Sequence, residues 1–150
     1  MGVAKEQKTR GRLLQAAMAL FAERGFEKTT MVAISERAEA NGAAVNYHFG
    51  DKQALYVAAL RAAFAEANAS FPVLLAEEGA SPEQRLRHHI AALISQIFSP
   101  SDAGYLCRMV AREFAEPTFA IDMIFSELIS QNQAQMWNAV SSILGSNVPE

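Results

Sequence analysis

The sequence predicts an all-α protein: a three-helix head carrying a helix-turn-helix, followed by a C-terminal helical bundle. Three observations predict it. Apolar residues recur at spacings of three and four along most of the chain, and strand-like alternation persists nowhere. The turn formers are few, five Pro and eight Gly in 150 residues, so long helices fit between them. One short helix, entered by a tight turn, carries Gly42, Ala43, Ala44, Asn46 and Tyr47, with His48 and Lys52 close behind. Small residues let a helix backbone approach a grooved partner, and Tyr, His and Lys can hold phosphate oxygens. Two short helices joined by a tight turn, the second presenting such a face, have the form of a DNA-reading helix-turn-helix.

The elements follow in order. Thr9 reads as an N-cap, with Leu13, Leu14, Ala17, Leu20 and Phe21 as a helical stripe and Gly25 as its stop. Thr30 reads as the cap of a second helix with Ile34 and Ala38 facing inward. Glu39-Ala40-Asn41 forms the turn into the third helix, anchored by Val45 and Phe49, and Gly50-Asp51 breaks it. A long helix starts at Lys52 with Leu55, Ala59, Leu60 and Phe64 as its stripe. Phe71-Pro72 to Gly79-Ala80 reads as a connection with room for a helical turn. Ser81-Pro82-Glu83-Gln84 is a helix start: Ser caps, Pro takes the first position and Gln closes a capping box. Leu86, Ile90, Leu93, Ile94, Ile97 and Phe98 continue that helix. Ser99-Pro100-Ser101-Asp102 separates this helix from one holding Leu106, Met109, Val110 and Phe114. Glu116-Pro117-Thr118 restarts the chain into a last helix from Phe119 to Leu144, stopped by Gly145.

Composition narrows the function. An apolar content of 51% supports a packed core. No apolar run is long enough to span a bilayer, and Met1 to Lys8 lacks the apolar core of a signal peptide. A lone Cys107 excludes an internal disulfide and suits a reducing cytoplasm; it reads as a small buried residue. The net charge is −3, but it is divided unevenly: residues 1–55 carry +2 and residues 56–150 carry −5. A mildly basic head on an acidic body fits contact with nucleic acid at one end. Lys8, Arg10 and Arg12 either add nonspecific attraction or form a solvated tail.

Leu14, Ala16-Ala17, Leu20-Phe21, Gly25-Phe26, Thr29-Thr30, Ile34, Ala38, Tyr47-His48-Phe49 and Lys52-Gln53-Ala54-Leu55 together resemble the DNA-binding head of the TetR family of bacterial transcription regulators. Asn41, Ala43-Ala44, Tyr47 to Gly50 and Arg112 to Thr118 are similar to its CecR-like subgroup. The resemblance implies a DNA-binding domain at 1–55 and a ligand-binding and dimerisation domain at 56–150. It also implies a cytoplasmic homodimer that reads a pseudo-palindromic operator in double-stranded DNA as a repressor, released by a small-molecule effector. It departs from the family at Glu39, where the family has Gly. The family body continues into two further helices that form the dimer contact, so either the polypeptide is truncated, with a body incomplete at its C-terminus and a weakened dimer, or the contact is built differently.

The resemblance assigns DNA contacts to Thr29, Thr30, Asn41, Gly42, Ala43, Ala44, Asn46, Tyr47, His48 and Lys52. Thr30 caps a helix whose free amides can bind phosphate, with Thr29 beside it. Gly42, Ala43 and Ala44 would face the major groove, where Ala meets a thymine methyl. Asn46 reads an adenine edge or a phosphate; His48 holds a phosphate or caps its helix.

An effector pocket would draw on His89, Phe98, Tyr105, Arg108, Met109, Arg112, Phe125, Met136 and Trp137, and would take a mainly apolar molecule with a polar or anionic group. Arg108 and Arg112 share a helix face; they either pair with Glu113, Glu116 or Asp122 or await a ligand. His88 and His89 are adjacent and point apart on a helix, which is poor metal geometry, so neither a metal nor another cofactor is expected. An enzyme would need a nucleophile–base pair or metal set that this sequence does not offer. The competing reading is a helical small-molecule carrier or protein-interaction module without DNA binding.

Overall fold

The computed structural model describes residues 2–72 and 79–145. Residues 73–78 of the predicted connection and the end of the chain from 146 lie outside the described residues. Among the described residues the chain is all-α, as the periodicity predicted.

Helix α1 spans Gly2–Lys28. It begins well before Thr9, whose hydroxyl donates to Lys5 O at 3.0 Å inside the helix. The expected N-cap at Thr9 is therefore corrected: the polar N-terminal segment is helical. Gly25 interrupts α1 with φ 79 and ψ 176, a backbone that a side chain resists. The Thr29 hydroxyl closes this end by donating to Gly25 O at 2.7 Å and Leu20 O at 3.2 Å.

Helix α2 is Met31–Arg37, and Thr30 Oγ1 accepts from Ala33 N at 3.1 Å as its cap. Its end is a Schellman motif: Ala40 N–H donates to Ser35 O at 2.9 Å and Glu39 N–H to Glu36 O at 3.0 Å. The motif requires a left-handed residue, and Glu39 supplies it at φ 49. Gly suits that position, and a side chain there costs about 1 kcal/mol or more. The departure in sequence is thus accommodated as strain, with the turn intact.

Asn41 caps α3, Gly42–Phe49, accepting from Ala43 N at 3.0 Å. Asp51 caps α4, Lys52–Ser70, accepting from Ala54 N at 2.8 Å. The capping box forms at the start of α5, Pro82–Phe98, with Ser81 and Gln84 bonded reciprocally. A 3-10 turn, Asp102–Gly104, leads into α6, Tyr105–Ala115. Gly104 is needed there because a Cβ would collide with the Ser99 carbonyl oxygen. Helices α7 (Ile121–Met123) and α8 (Ser130–Leu144) are joined by a π-helical segment, Ile124–Ile129, into one continuous rod. Within it Ser130 N–H reaches back five residues to Phe125 O.

One apolar core runs from Leu13 through Phe21, Ile34, Val45, Leu55, Leu60 and Met109 to Ile124 and Leu128. Helix α1 lies against both α4 and α6, so the head is seated directly on the body. The apolar residues of α5 largely stay outside this core. That helix buries His89, Ala92 and Gln96 and exposes Ile90, Ile94, Ile97 and Phe98. Gln96 Nε2 donates to Phe71 O at 3.1 Å, fixing this rotation. Phe114 is likewise exposed.

Candidate nucleic-acid interface

The outer face of α3 is built by its caps and its single deep anchor. Val45 is fully buried, and Phe49 packs at the edge of the core. With these two inward, helical geometry turns Gly42, Ala43, Asn46 and Tyr47 outward, and all four are exposed. Tyr47 is 75% exposed and its ring meets the His48 ring edge-on at 5.1 Å. Ala44 and His48 are half-buried at the margins. Thr30 and Asn41 are exposed, each with its oxygen spent on a cap. Seven expected contacts, Asn41 to Ala44 and Asn46 to His48, thus fall on one short helix or its cap.

Two expected contacts lie elsewhere. Thr29 is wholly buried and its hydroxyl is committed to two carbonyls of α1, so it is corrected from phosphate contact to helix closure. Lys52 lays its ammonium over the Phe26 ring at 4.3 Å and donates to Glu27 O at 3.2 Å. That ammonium is already engaged with the C-terminal end of α1, whose carbonyls attract a cation. Two further residues border the interface. Val32 stands exposed on the first turn of α2. Arg10 rests its guanidinium on the Phe49 ring at 5.0 Å, which a helical α1 makes possible and a disordered tail would not.

The residues expected around an effector do not converge on one cavity. Met136 and Trp137 line an apolar groove of about 620 Å³ along α8, with Ser130, Gln133, Ala134 and Val140. Tyr105 lines a different groove, between α1, the end of α2 and the 3-10 turn. Arg112 borders a third, of about 160 Å³, where α1, α4 and α6 meet. Met109 is fully buried core; Phe98 is 79% exposed and Phe125 half-exposed, so neither lines an interior. His89 is buried, and burial first, then neighbouring His88, lowers its pKa and favours the neutral ring. Arg108 donates to Ser99 O at 3.3 Å and stands 5.0 Å from the Tyr105 ring.

Arg112 takes neither role anticipated for it. Its Nε donates to Ala22 O at 2.9 Å and its Nη2 to Glu23 O, both at the end of α1. The next residue, Glu113, is buried and holds three donors: Tyr56 Oη at 2.7 Å, Thr118 Oγ1 at 2.9 Å and Thr118 N at 3.0 Å. Burial, then the bond to Glu113, raises the Tyr56 pKa far above the usual phenol range, so the hydroxyl remains a donor. Adjacent residues of α6 thereby grip α1 on one side and α4 on the other. The spacing Leu106, Met109, Glu113 placed that carboxyl on the buried face of α6, a signal present in the sequence. Burial also raises the Cys107 thiol, with Arg108 opposing. No group of three metal-ligating side chains occurs among the described residues, and no helix among them is long and apolar enough to cross a membrane.

Residues 13–59 match the profile of the bacterial regulatory proteins of the TetR family. Residues 82–150 match the C-terminal domain of the HTH-type transcriptional dual regulator CecR. The HTH-type transcriptional repressor NicS of Pseudomonas putida is 35% identical over 95 residues, covering 60% of this chain and 43% of NicS. CecR of Shigella flexneri is 27% identical over 154 residues, covering 94% of this chain and 67% of CecR. The chain thus spans less than half of NicS and about two thirds of CecR. Among solved structures, a HlyIIR mutant protein superposes with a TM-score of 0.75 at 21% identity, over 91% of this chain and 71% of that one. The multidrug binding protein EbrR, complexed with imidazole, gives 0.56 at 18% identity, over 93% and 82%. These two likenesses carry the fold.

Proposed function

The chain belongs to the TetR family of bacterial regulatory proteins, with a body of the CecR type, and we propose that it is a DNA-binding transcription repressor acting in the cytoplasm as a homodimer. Residues 1–55 serve as the DNA-binding head and 56–150 as the effector and dimerisation body. The observation that carries this reading is the outward face of α3, where small residues, Asn46 and Tyr47 stand exposed on a helix held by two caps and one buried valine.

In this reading the small residues let α3 enter the major groove, Asn46 reads a base edge, and Tyr47 and His48 fix the helix by phosphates. Lys52 would leave Phe26 to join them. Two copies of α3 would read the halves of a pseudo-palindrome. Exposed Ile90, Ile94, Ile97 and Phe98 on α5, and Ile143 and Leu144 on α8, supply apolar surface for a second copy. NicS is named as a repressor, which supports that sign of regulation.

An apolar effector with a polar group fits the groove along α8 beside Trp137. Because Trp137 is the only tryptophan and is 51% exposed, its fluorescence reports that groove alone. Movement of the body would reach the head through α6, whose Arg112 grips α1 and whose Glu113 grips α4, changing the spacing of the two heads.

Gel-shift titration at several salt concentrations tests the reading. With about three to five phosphates per head and two heads, log affinity should fall with log salt at a slope of roughly −5 to −9. A response independent of salt would sink it.

A further inference from the structure

We propose that the groove between α1, the end of α2 and the 3-10 turn is a second small-molecule site, which takes a flat aromatic monocarboxylate across the seam of head and body. It is separate from the groove along α8 and does not depend on what α3 binds. One stripe of α1 forms a wall: Lys8, Gly11, Arg12, Gln15, Ala16 and Ala19, at the spacing of a single helix face. Arg37, Ala38 and Glu39 at the end of α2, with Asp102 and Tyr105 of the body, complete the lining. The groove holds about 510 Å³, inside the range of roughly 300 to 1,000 Å³ that small-molecule sites occupy.

The charges select the ligand. Arg37 is held by Glu23, a residue outside the lining, at 2.9 Å. Lys8 and Arg12 are exposed and take part in no ion pair among the described residues. They stand one turn apart on one face, so a single carboxylate can accept from both. Glu39 and Asp102 in the same lining disfavour a second negative charge. Past the cations the stripe continues as Ala16 and Ala19, with Ala38 also in the lining. Side chains this short leave a smooth surface that suits a flat ring.

Gly11 is an independent sign that the space is kept open. It lies inside a regular stretch of α1, so no positive φ calls for glycine, and an added Cβ would meet nothing within 4 Å. Glycine inside a helix is destabilising relative to alanine. Neither backbone nor packing requires it, and its effect is to leave the groove free beside Lys8 and Arg12. A ligand seated there touches α1 and α2 of the head and α6 of the body together, and so holds them in one arrangement.

Isothermal titration calorimetry of the full chain with benzoate tests the site. Benzamide keeps the ring without the charge, and acetate keeps the charge without the ring. Benzoate should bind once per protomer, at least about tenfold tighter than either. Lys8→Gln/Arg12→Gln should weaken it by at least about tenfold, and Lys8→Arg/Arg12→Lys should keep binding, which separates lost charge from a lost helix. Gly11→Leu should fill the groove and weaken benzoate by a similar factor. It should not lower the melting temperature, because leucine is the better helix former. Benzamide binding as tightly as benzoate overturns the site, and so does wild-type affinity in Gly11→Leu. No binding at about 10 mM benzoate overturns it as well. Benzoate that changes Trp137 fluorescence and ignores Gly11→Leu occupies the groove along α8 and likewise overturns it. Each of these outcomes leaves the salt dependence of DNA binding, and the reading of the head that rests on it, untouched.

Discussion

The face of α3 and the junction of α1, α4 and α6 use the same chemical groups in opposite states. On α3 the side chains of Tyr47 and Asn46 are exposed and make no hydrogen bond among the described residues. At the junction the phenol of Tyr56, the carboxyl of Glu113 and the hydroxyl of Thr118 are bonded to one another out of water. Polar groups left exposed cost the fold little and remain open to a partner. Polar groups buried together fix a geometry, and each becomes expensive to remove alone.

Glu113→Ala should break this contrast most sharply. It strands the Tyr56 hydroxyl and the Thr118 amide, and a loss of about 3 kcal/mol is expected in urea unfolding. Loss within 0.5 kcal/mol, the ordinary range of a surface substitution, would mean the junction is not a closed network. Arg112→Ala should come next, at about 1 to 2 kcal/mol, because two carbonyls of α1 lose their donors while the core stays intact. Thermal melts together with amide exchange at Ala22 to Glu27 locate the effect; protection unchanged there would argue against the clasp.

On α3 the effects should appear in binding and leave stability alone. Tyr47→Ala should weaken all duplexes about equally, by roughly 1 kcal/mol, whereas Asn46→Ala should change which sequence is preferred. Binding to operator and to scrambled DNA separates the two, and a sequence-selective effect at Tyr47 would reverse the roles. The smallest change expected is a gain. Glu39→Gly relieves the left-handed strain and should stabilise the protein by somewhat under about 1 kcal/mol, since Gly also loosens the unfolded chain. A fall in melting temperature would show that the Glu39 side chain contributes a contact that offsets the strain.

Local chemistry made much of the fold legible. The caps at Thr30 and Ser81 were legible because capping needs only a side-chain oxygen and an amide two or three residues on; Asn41 and Asp51, read as a turn and a break, cap by the same chemistry. The α3 face was legible for the same reason: one anchor and a helical period decide which residues turn outward. The rotation of α5 was not legible. Its apolar stripe is real, but a stripe does not state whether it meets the chain's own helices or another surface. The decision came from Gln96 bonding to the end of α4, a contact between residues far apart in sequence. Arg112 escaped for a similar reason. Nearby carboxylates suggested ion pairs, and only the packing of α6 against α1 brought unpaired carbonyls within its reach.

The π-helical segment at Ile124–Ile129 acts on phase. Each residue of an α-helix advances about 100° around the axis, so a single residue absorbed in a wide turn resets the direction of everything after it. Ahead of the segment's end, Ile124 and Leu128 point into the core shared with α1 and α4; beyond it, Ala139 is buried where α8 lies along α5. One rod thereby serves two neighbours that an unbroken α-helix would not face with the same residues. Deleting one residue within the segment would leave the helix continuous and turn Trp137 by roughly a quarter of a circle, moving the groove without touching the residues that form it.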